Sequence, residues 1–415
     1  MRLLYTAGIY FYGFCIRIAS LFNQKAKLFI KGRQDLFKKA QQQMNRGDKI
    51  IWFHAASLGE FEQGKPIIER CKKDFSEYKI LLTFFSPSGY ELRKDYKTAD
   101  YIFYLPLDTP SNMKKWVEIV NPDRVILIKY EFWFNLLYQL QKKSIPTLVV
   151  SAVFRPNQAF FKFYGSFMLK TLKSIQHFFV QDEHSLHLLK KHHIHQVSLS
   201  GDTRFDRVHE LVQDVKPLPF LEAFKNDTFT IVAGSIWTKG ENLFIRFINE
   251  THYTLKCVLV PHEIHAQKIQ ELKQNIQKKV ILYSEIHTQD LAEYDVLIMD
   301  AVGLLTAVYP YADIAYVGGA FGPTGIHNIL EPATFGKPVF YGPRFEKNRE
   351  AHDLVNAKGG KVAYDYDDFE DIINLFYGDD EGLKIYSQNA RLFIQKNRGA
   401  TEKIMNYLQE YFLKT

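Results

Sequence analysis

Several short stretches of this 415-residue chain combine residue types that could act on a substrate. In HAASLGEFEQG the apolar run 50–53 gives way to Ser57, Leu58, Gly59 and Glu60 ahead of a helical pattern, which puts Glu60 at a strand exit and helix start. A carboxylate held there can accept the proton of an incoming hydroxyl in the transition state. Capping of the helix by Glu60 and Glu62 is the other use of the same residues. In RVILIKYEFWFNLL, Glu131 closes an apolar run among Tyr130, Phe132 and Trp133. A buried charge there needs a partner, and a structural salt bridge explains it equally well. In LSGDTRFD, Arg204 stands between Asp202 and Asp206. Its planar fork suits a phosphate or carboxylate, or a local ion pair with either aspartate.

The stretch IAYVGGAFGPTGIHNILEPATFGKPVFYGP carries Gly318, Gly319, Gly322 and Gly325 between a strand and the helix-like residues 328–335. Glycine-rich backbone running into a helix N-terminus suits phosphate, and Glu331, one turn past His327, suits a ribose hydroxyl. Simple turn formation is the alternative. Neither the Walker spacing nor a regular G-x-G-x-x-G is present, which disfavours a P-loop or an ordinary NAD site. His192, His193 and His195 in KKHHIHQ have no acidic or cysteine partners nearby to complete a metal shell, so no metal site is expected.

The elements that must position these residues are strands and helices in alternation. IIWFHA, ILLTFF, YIFYLPLD, RVILIKYE, PTLVVSAVF and HFFVQD read as strands before helices or turns. A polar, proline-bearing stretch at 212–219 interrupts the pattern, and FTIVAGS, LKCVLVPHE, VILYSE, DVLIMD, IAYVGGAFG and PVFYGP restart it. Two parallel-sheet α/β domains are predicted, joined near residues 207–222, and the length suits two cores. Ligands of such sheets collect beyond the carboxyl ends of the strands, so two of them facing each other would share a cleft.

Composition narrows the function. The chain is 46% apolar and 24% charged, which excludes a largely disordered or fibrous protein. Cys15, Cys71 and Cys257 form no C-x-x-C pair, so neither a disulfide framework nor a cysteine-based zinc site is expected, and a reducing compartment fits. Of the formal +7, residues 1–50 carry ten Lys or Arg against Asp35 and Asp48, whereas the rest holds 43 basic and 44 acidic residues. That near-neutral body does not look like a nucleic-acid binder. Residues 3–22 are rich in aliphatic and aromatic residues, interrupted by Arg17 and followed by Lys25, Lys27, Lys31 and Arg33. They are close to the length that spans a bilayer, without a cleavage site. A span, an interfacial helix and an ordinary helix packed on the first domain all remain open, and the cationic flank favours the cytoplasmic leaflet.

Taken in order, HAASLGE, FFSPSGYE, YLPLD, EFWFN, GDTRFD, LVPHE, and GIHNILEP followed by GKPVFYGP resemble the transferases of 3-deoxy-D-manno-octulosonic acid (Kdo) in lipopolysaccharide synthesis, a GT-B glycosyltransferase family. The resemblance runs from about residue 1 to 400. It implies a GT-B fold, two Rossmann-like domains facing across a cleft behind an N-terminal membrane-attachment helix. The implied divisions are an attachment segment 1–33, an acceptor domain 34–211, a linker 212–222, a CMP-sugar domain 223–395 and a C-terminal helix 396–415 able to pack back on the first domain. It further implies inverting transfer of Kdo from CMP-Kdo to the lipid A precursor lipid IVA at the cytoplasmic face of the inner membrane, in contact with its lipids, without a cofactor or metal. By position, the general base becomes Glu60, and Glu131 and Arg204 become supports of the transition state. The CMP contacts become Pro261, His262, Val302, Gly303, Leu304, Asn328, Ile329, Leu330 and Glu331.

Some positions depart from that pattern. Lys129, Tyr130, Glu131, Phe132, Trp133, Phe134 and Asn135 stand where many relatives read E-T-E-L-W-P-N, Arg204 stands where lysine is common, and His262 where arginine is common. Two other readings compete: a sugar-nucleotide 2-epimerase of the same architecture, against which the membrane segment argues, and a membrane-tethered nucleotide-binding scaffold, against which Glu60 argues.

Overall fold

A computed structural model describes residues 2–213, 215–287, 290–323 and 325–412. The chain divides into two compact units, Met1–Arg207 with Arg398–Thr415, and Val208–Asn397.

The first unit is built on seven parallel strands: β1 Lys49–Ala55, β2 Tyr78–Phe84, β3 Tyr101–Tyr104, β4 Arg124–Ile128, β5 Thr147–Ala152, β6 His177–Val180 and β7 Val197–Leu199, in the order β3-β2-β1-β4-β5-β6-β7. Helices cover both faces, so the central strands are unbroken apolar runs rather than alternating ones. In β1 only Lys49 is exposed, and β4 is buried throughout. One face packs Trp52, Leu127, Val149 and Phe178 with Trp116, and the other packs Phe53, Ile126 and Phe179 with Phe61, Ile404 and Met405. The C-terminal helix Ala400–Tyr407 thus closes the second face, and the Asp206 carboxylate accepts from the backbone N–H of Gly399 (2.6 Å) and Thr401 (2.7 Å) at its start. The strand order reverses at β1 and β4, whose carboxyl ends flank the crevice where ligands of such sheets bind.

The second unit repeats the plan with β8 Thr230–Ile236, β9 Lys256–Pro261, β10 Val280–Leu282, β11 Val296–Ile298, β12 Ile314–Val317, β13 Val339–Tyr341 and β14 Gly360–Val362, in the order β10-β11-β9-β8-β12-β13-β14. Its reversal lies between β8 and β12, followed by Trp237 and Gly318 respectively.

Two details differ from the sequence reading. Edge strands β7 and β14, Val197–Leu199 and Gly360–Val362, each carry a polar residue in their three positions and so lack the apolar run that marks the equally short β10. In the joint expected over 207–222, helix Thr203–Gln213 carries the chain through the division at Arg207, residues 215–218 are irregular, and helix Pro219–Lys225 follows. The helix expected over 328–335 is a single turn, Leu330–Thr334.

At the N-terminus, helix Arg2–Ala19 precedes helix Gln24–Lys31. No helix among the described residues is long and apolar enough to cross a membrane. The first helix is not a core helix either, since Gly13 is its only buried residue, while Leu3 is 85%, Phe11 68% and Phe14 59% exposed. It is pinned at its start to the first unit. Arg2 Nε donates to Asn135 Oδ1 (3.0 Å), Asn135 Nδ2 to Thr6 Oγ1 (3.2 Å), and the Tyr5 hydroxyl to Asp108 Oδ2 (2.6 Å).

Candidate active site

Glu60 and Glu131 both sit at the strand-order reversal of the first unit. Ser57 leaves β1 in extended backbone and opens helix Leu58–Asp74, whose third residue is Glu60. Glu60 Oε2 accepts from the backbone N–H (2.8 Å) and the hydroxyl (2.9 Å) of Ser57. The side chain is therefore fixed before any substrate arrives, and the residue is only 8% exposed. Burial, and next the charge of Glu131, raise the Glu60 carboxyl above the usual carboxylate range, against the Ser57 hydrogen bonds and the charge of Lys129. A carboxyl raised by burial and a like charge binds a proton more readily than an ordinary carboxylate, which suits a general base.

Beyond β4 the chain turns through Lys129, whose φ of +72° is rare for a side-chain-bearing residue, and brings Glu131 back into the site. Trp133 Nε1 donates to Glu131 Oε2 (2.9 Å) and faces His54 Nε2 (3.1 Å). His54 Nε2 lies 3.4 Å from Glu131 Oε2. Nδ1 of the ring meets the carbonyl (3.1 Å) and hydroxyl (2.9 Å) of Thr83 on β2, and because a carbonyl only accepts, Nδ1 donates to it. Sequence reasoning passed over His54, although it stands within HAASLGE. Being fully buried at a strand's end, it reads as core until Trp133 and Glu131 are seen beside it.

Arg204 takes the local option left open by its spacing. Its Nε and Nη2 donate to Asp202 Oδ2 (2.9 and 2.6 Å) and its backbone N–H to Asp202 Oδ1 (2.9 Å). Asp206 is engaged at the C-terminal helix instead.

In the second unit the candidate nucleotide residues follow β9, β11 and β12. Pro261 ends β9, and the next residue, His262, donates its backbone N–H to Ile236 O (2.9 Å). The His262 ring stacks on Trp237 (centroids 4.2 Å) and on His327 (4.5 Å), while Trp237 Nε1 donates to His327 Nε2 (2.8 Å). Burial, with the nearby His262, lowers His327 to about 4, so it is neutral at physiological pH. Val302 is 84% exposed, Gly303 adopts φ +87°, and Leu304 leads the turn of helix Leu305–Val308. Thr306 on that turn donates to Glu331 Oε2 (2.8 Å) and Asn328 Nδ2 to Glu331 Oε1 (2.9 Å), which ties residues 302–304 to 328–331. Ile329 and Leu330 are buried beneath them. Gly319 has φ +100°, and a Cβ there would lie 2.1 Å from the Gly325 carbonyl oxygen, so this return of the loop requires glycine. Thr324 lies outside the described residues. His327 is not one turn ahead of Glu331 on a helix. It precedes the helix and serves the Trp237–His262 stack, a role with no signal in spacing. Among the described residues no group of three or more His, Cys, Asp or Glu side chains is placed to hold a metal.

Two doubly wound parallel sheets of seven strands define a GT-B-like class. A glycosyltransferase from Rickettsia africae shares the fold at a TM-score of 0.60 over 89% of this chain and 100% of that one, with 14% identity. A UDP-GlcNAc 2-epimerase from Neisseria meningitidis does so at 0.60, over 87% and 100%, with 15% identity. The fold alone therefore does not select the chemistry. The 3-deoxy-D-manno-octulosonic-acid transferase (kdotransferase) family matches residues 30–207. A 3-deoxy-D-manno-octulosonic acid transferase from Aquifex aeolicus is 31% identical over 315 residues, 74% of this chain and 80% of the relative. The chain belongs to the Kdo transferase family and is a glycosyltransferase.

Proposed function

We propose that this glycosyltransferase moves Kdo from CMP-Kdo onto the lipid A precursor lipid IVA, with inversion at the anomeric carbon. The observation that carries the mechanism is the Glu60 carboxylate, held by Ser57 and raised by burial and Glu131 at the strand-order reversal of the first unit. Glu60 accepts the proton of the primary hydroxyl on the distal glucosamine. That oxygen bonds to the Kdo anomeric carbon from the face opposite the nucleotide, and the bond from carbon to the phosphate oxygen of CMP breaks, so CMP leaves with the electron pair. Attack from the opposite face inverts the centre.

CMP is held by Pro261, His262, Val302, Gly303, Leu304, Asn328, Ile329, Leu330 and Glu331. Glu331, oriented by Thr306 and Asn328, accepts from ribose hydroxyls, and backbone N–H groups of the glycine loop meet the phosphate. Arg204, oriented by Asp202, and Glu131, oriented by Trp133, support the transition state. Departure of CMP is assisted by these groups with no metal in the scheme.

The reaction is placed at the cytoplasmic face of the inner membrane. The exposed side chains Leu3, Leu4, Phe11, Phe14, Leu21 and Phe22, with Arg17, Lys25, Lys27 and Lys31, have the character of an interfacial helix on anionic lipid. The test is product analysis with CMP-Kdo and a tetraacylated, bisphosphorylated lipid A precursor. Release of CMP together with a lipid heavier by one or more Kdo residues is the expected outcome, whereas epimerised donor or an unchanged lipid would overturn the proposal.

A further inference from the structure

The N-terminal segment ends in contacts that lead to the Glu131 cluster. At Gly32 the chain passes against Tyr104, where a Cβ would lie 2.1 Å from the ring. The next residue, Arg33, donates Nε to the Leu105 carbonyl (2.9 Å), Nη1 to that of Phe29 (3.0 Å) and Nη2 to that of Phe85 (2.6 Å). Its guanidinium lies 3.5 Å over the Phe29 ring and 4.8 Å from that of Tyr104. Every side-chain hydrogen bond of Arg33 among the described residues thus goes to a carbonyl, and none to a carboxylate. A half-buried cation that meets carbonyls and rings instead of a carboxylate gives up hydration without a charge partner, so this arrangement calls for a purpose beyond a salt bridge.

The purpose lies in Phe85, the residue after β2. Its carbonyl is held by Arg33, and its ring is enclosed by Tyr12 (6.2 Å, stacked) and Phe29 (5.2 Å, edge-on) from the N-terminal helices. It also meets Trp133 at 4.3 Å. Trp133 in turn directs its N–H at Glu131 and His54. Contacts therefore run without a gap from the N-terminal helices through Arg33 and Phe85 to the indole that orients Glu131.

We propose that Arg33 and Phe85 are positioning residues for the Trp133–Glu131 pair, which makes the N-terminal segment part of the catalytic framework and not a detachable anchor. The proposal rests on reading Glu131 as a support of the transition state. Arginine suits the task because one planar fork serves three carbonyls while stacking on a ring, which an ammonium does not do.

The test uses the full chain with Phe85→Leu and Arg33→Lys. Phe85→Leu keeps the backbone carbonyl that Arg33 holds and an apolar side chain, and removes only the ring facing Trp133, so it carries the test even if Arg33→Lys folds poorly. The readouts are kcat, KM for CMP-Kdo and the indole N–H resonance of Trp133 in 15N-tryptophan-labelled protein, one of four tryptophans, assigned with Trp133→Phe. Phe85→Leu is expected to move the Trp133 resonance and lower kcat on the order of tenfold or more while KM for the donor stays within about twofold, because misplaced groups cost rate more than ground-state affinity. An unmoved Trp133 resonance overturns the proposal. So does a moved resonance with unchanged kcat, and Glu131→Gln then separates the causes. If Glu131→Gln lowers kcat, the positioning link is wrong; if it does not, the reading of Glu131 itself fails.

Discussion

The carboxylate of Glu60 and the backbone N–H of Ser57 are 2.8 Å apart, so the group read as a general base is also the group that closes the first turn of its helix. The two readings of Glu60 that the sequence left open are thus compatible: the capping contact fixes the side chain at the strand exit, and burial beside Glu131 adjusts its proton affinity.

A pH profile follows from that environment. Glu60 must be ionised to act as a base, so kcat/KM is expected to rise with pH through the raised Glu60 carboxyl. Glu131→Gln removes a charge that raises it and should move this limb to lower pH. Lys129→Met removes a charge that lowers it and should move the limb to higher pH. Shifts in the same direction in both variants would exclude Glu60 as the titrating group.

Donor affinity isolates the second unit. Glu331→Ala is expected to weaken CMP binding by on the order of tenfold or more, since a hydrogen bond to a charged group contributes about 1.5–3 kcal/mol. Thr306→Val, which removes only the hydroxyl holding Glu331, should weaken it less. Isothermal titration with CMP measures both, and unchanged affinity in Glu331→Ala would assign that carboxylate to structure alone.

The parallel sheets were legible because buried central strands spell continuous apolar runs, as in IIWFHA and RVILI. Glu60 and Glu131 stood out as candidates because each follows such a run at a short distance, beyond Ala55 and Ile128 respectively. Other features depend on residues remote in sequence and leave no local pattern. Asp206 is spent on Gly399 and Thr401, His54 meets Trp133, and Trp237 meets His327. The division at Arg207 falls at the start of the joint expected over 207–222, but that it lies inside helix Thr203–Gln213 has no local signal, because the proline-bearing stretch after it is the stronger break in the pattern.

The N-terminal helix gives a stability prediction. Asp108 is fully buried and accepts from Tyr5, from the backbone N–H of Asn135 (3.0 Å) and from that of Leu136 (2.8 Å). Asp108→Ala leaves those donors without their acceptor and should cost about 2–5 kcal/mol, with Tyr5→Phe costing about 1.5–3 kcal/mol. Urea unfolding of the full chain, followed at the transition of the first unit, measures both, and equal midpoints for the wild type and Asp108→Ala would contradict the packing described.

Membrane attachment needs a gentler probe than truncation. Deletion of residues 1–33 would strip Arg2, Tyr5, Thr6 and Arg33 of their contacts with the first unit along with the apolar face. Replacement of Phe11, Phe14, Leu21 and Phe22 by serine leaves those contacts in place and should abolish co-sedimentation with phosphatidylglycerol vesicles. Replacement of Lys25, Lys27 and Lys31 by glutamine should weaken it by about 1 kcal/mol per charge at low salt and less at high salt. Full binding by the serine variant would move attachment elsewhere on the protein.

The most direct measurement is the rate of Kdo transfer from CMP-Kdo to the lipid A precursor by Glu60→Gln, taken together with its CMP affinity. The carboxamide keeps the size of the side chain but cannot accept the proton, so transfer should fall on the order of 10²-fold or more while CMP affinity stays nearly unchanged. Transfer at more than about a tenth of the wild-type rate would be incompatible with loss of a general base and would contradict the account.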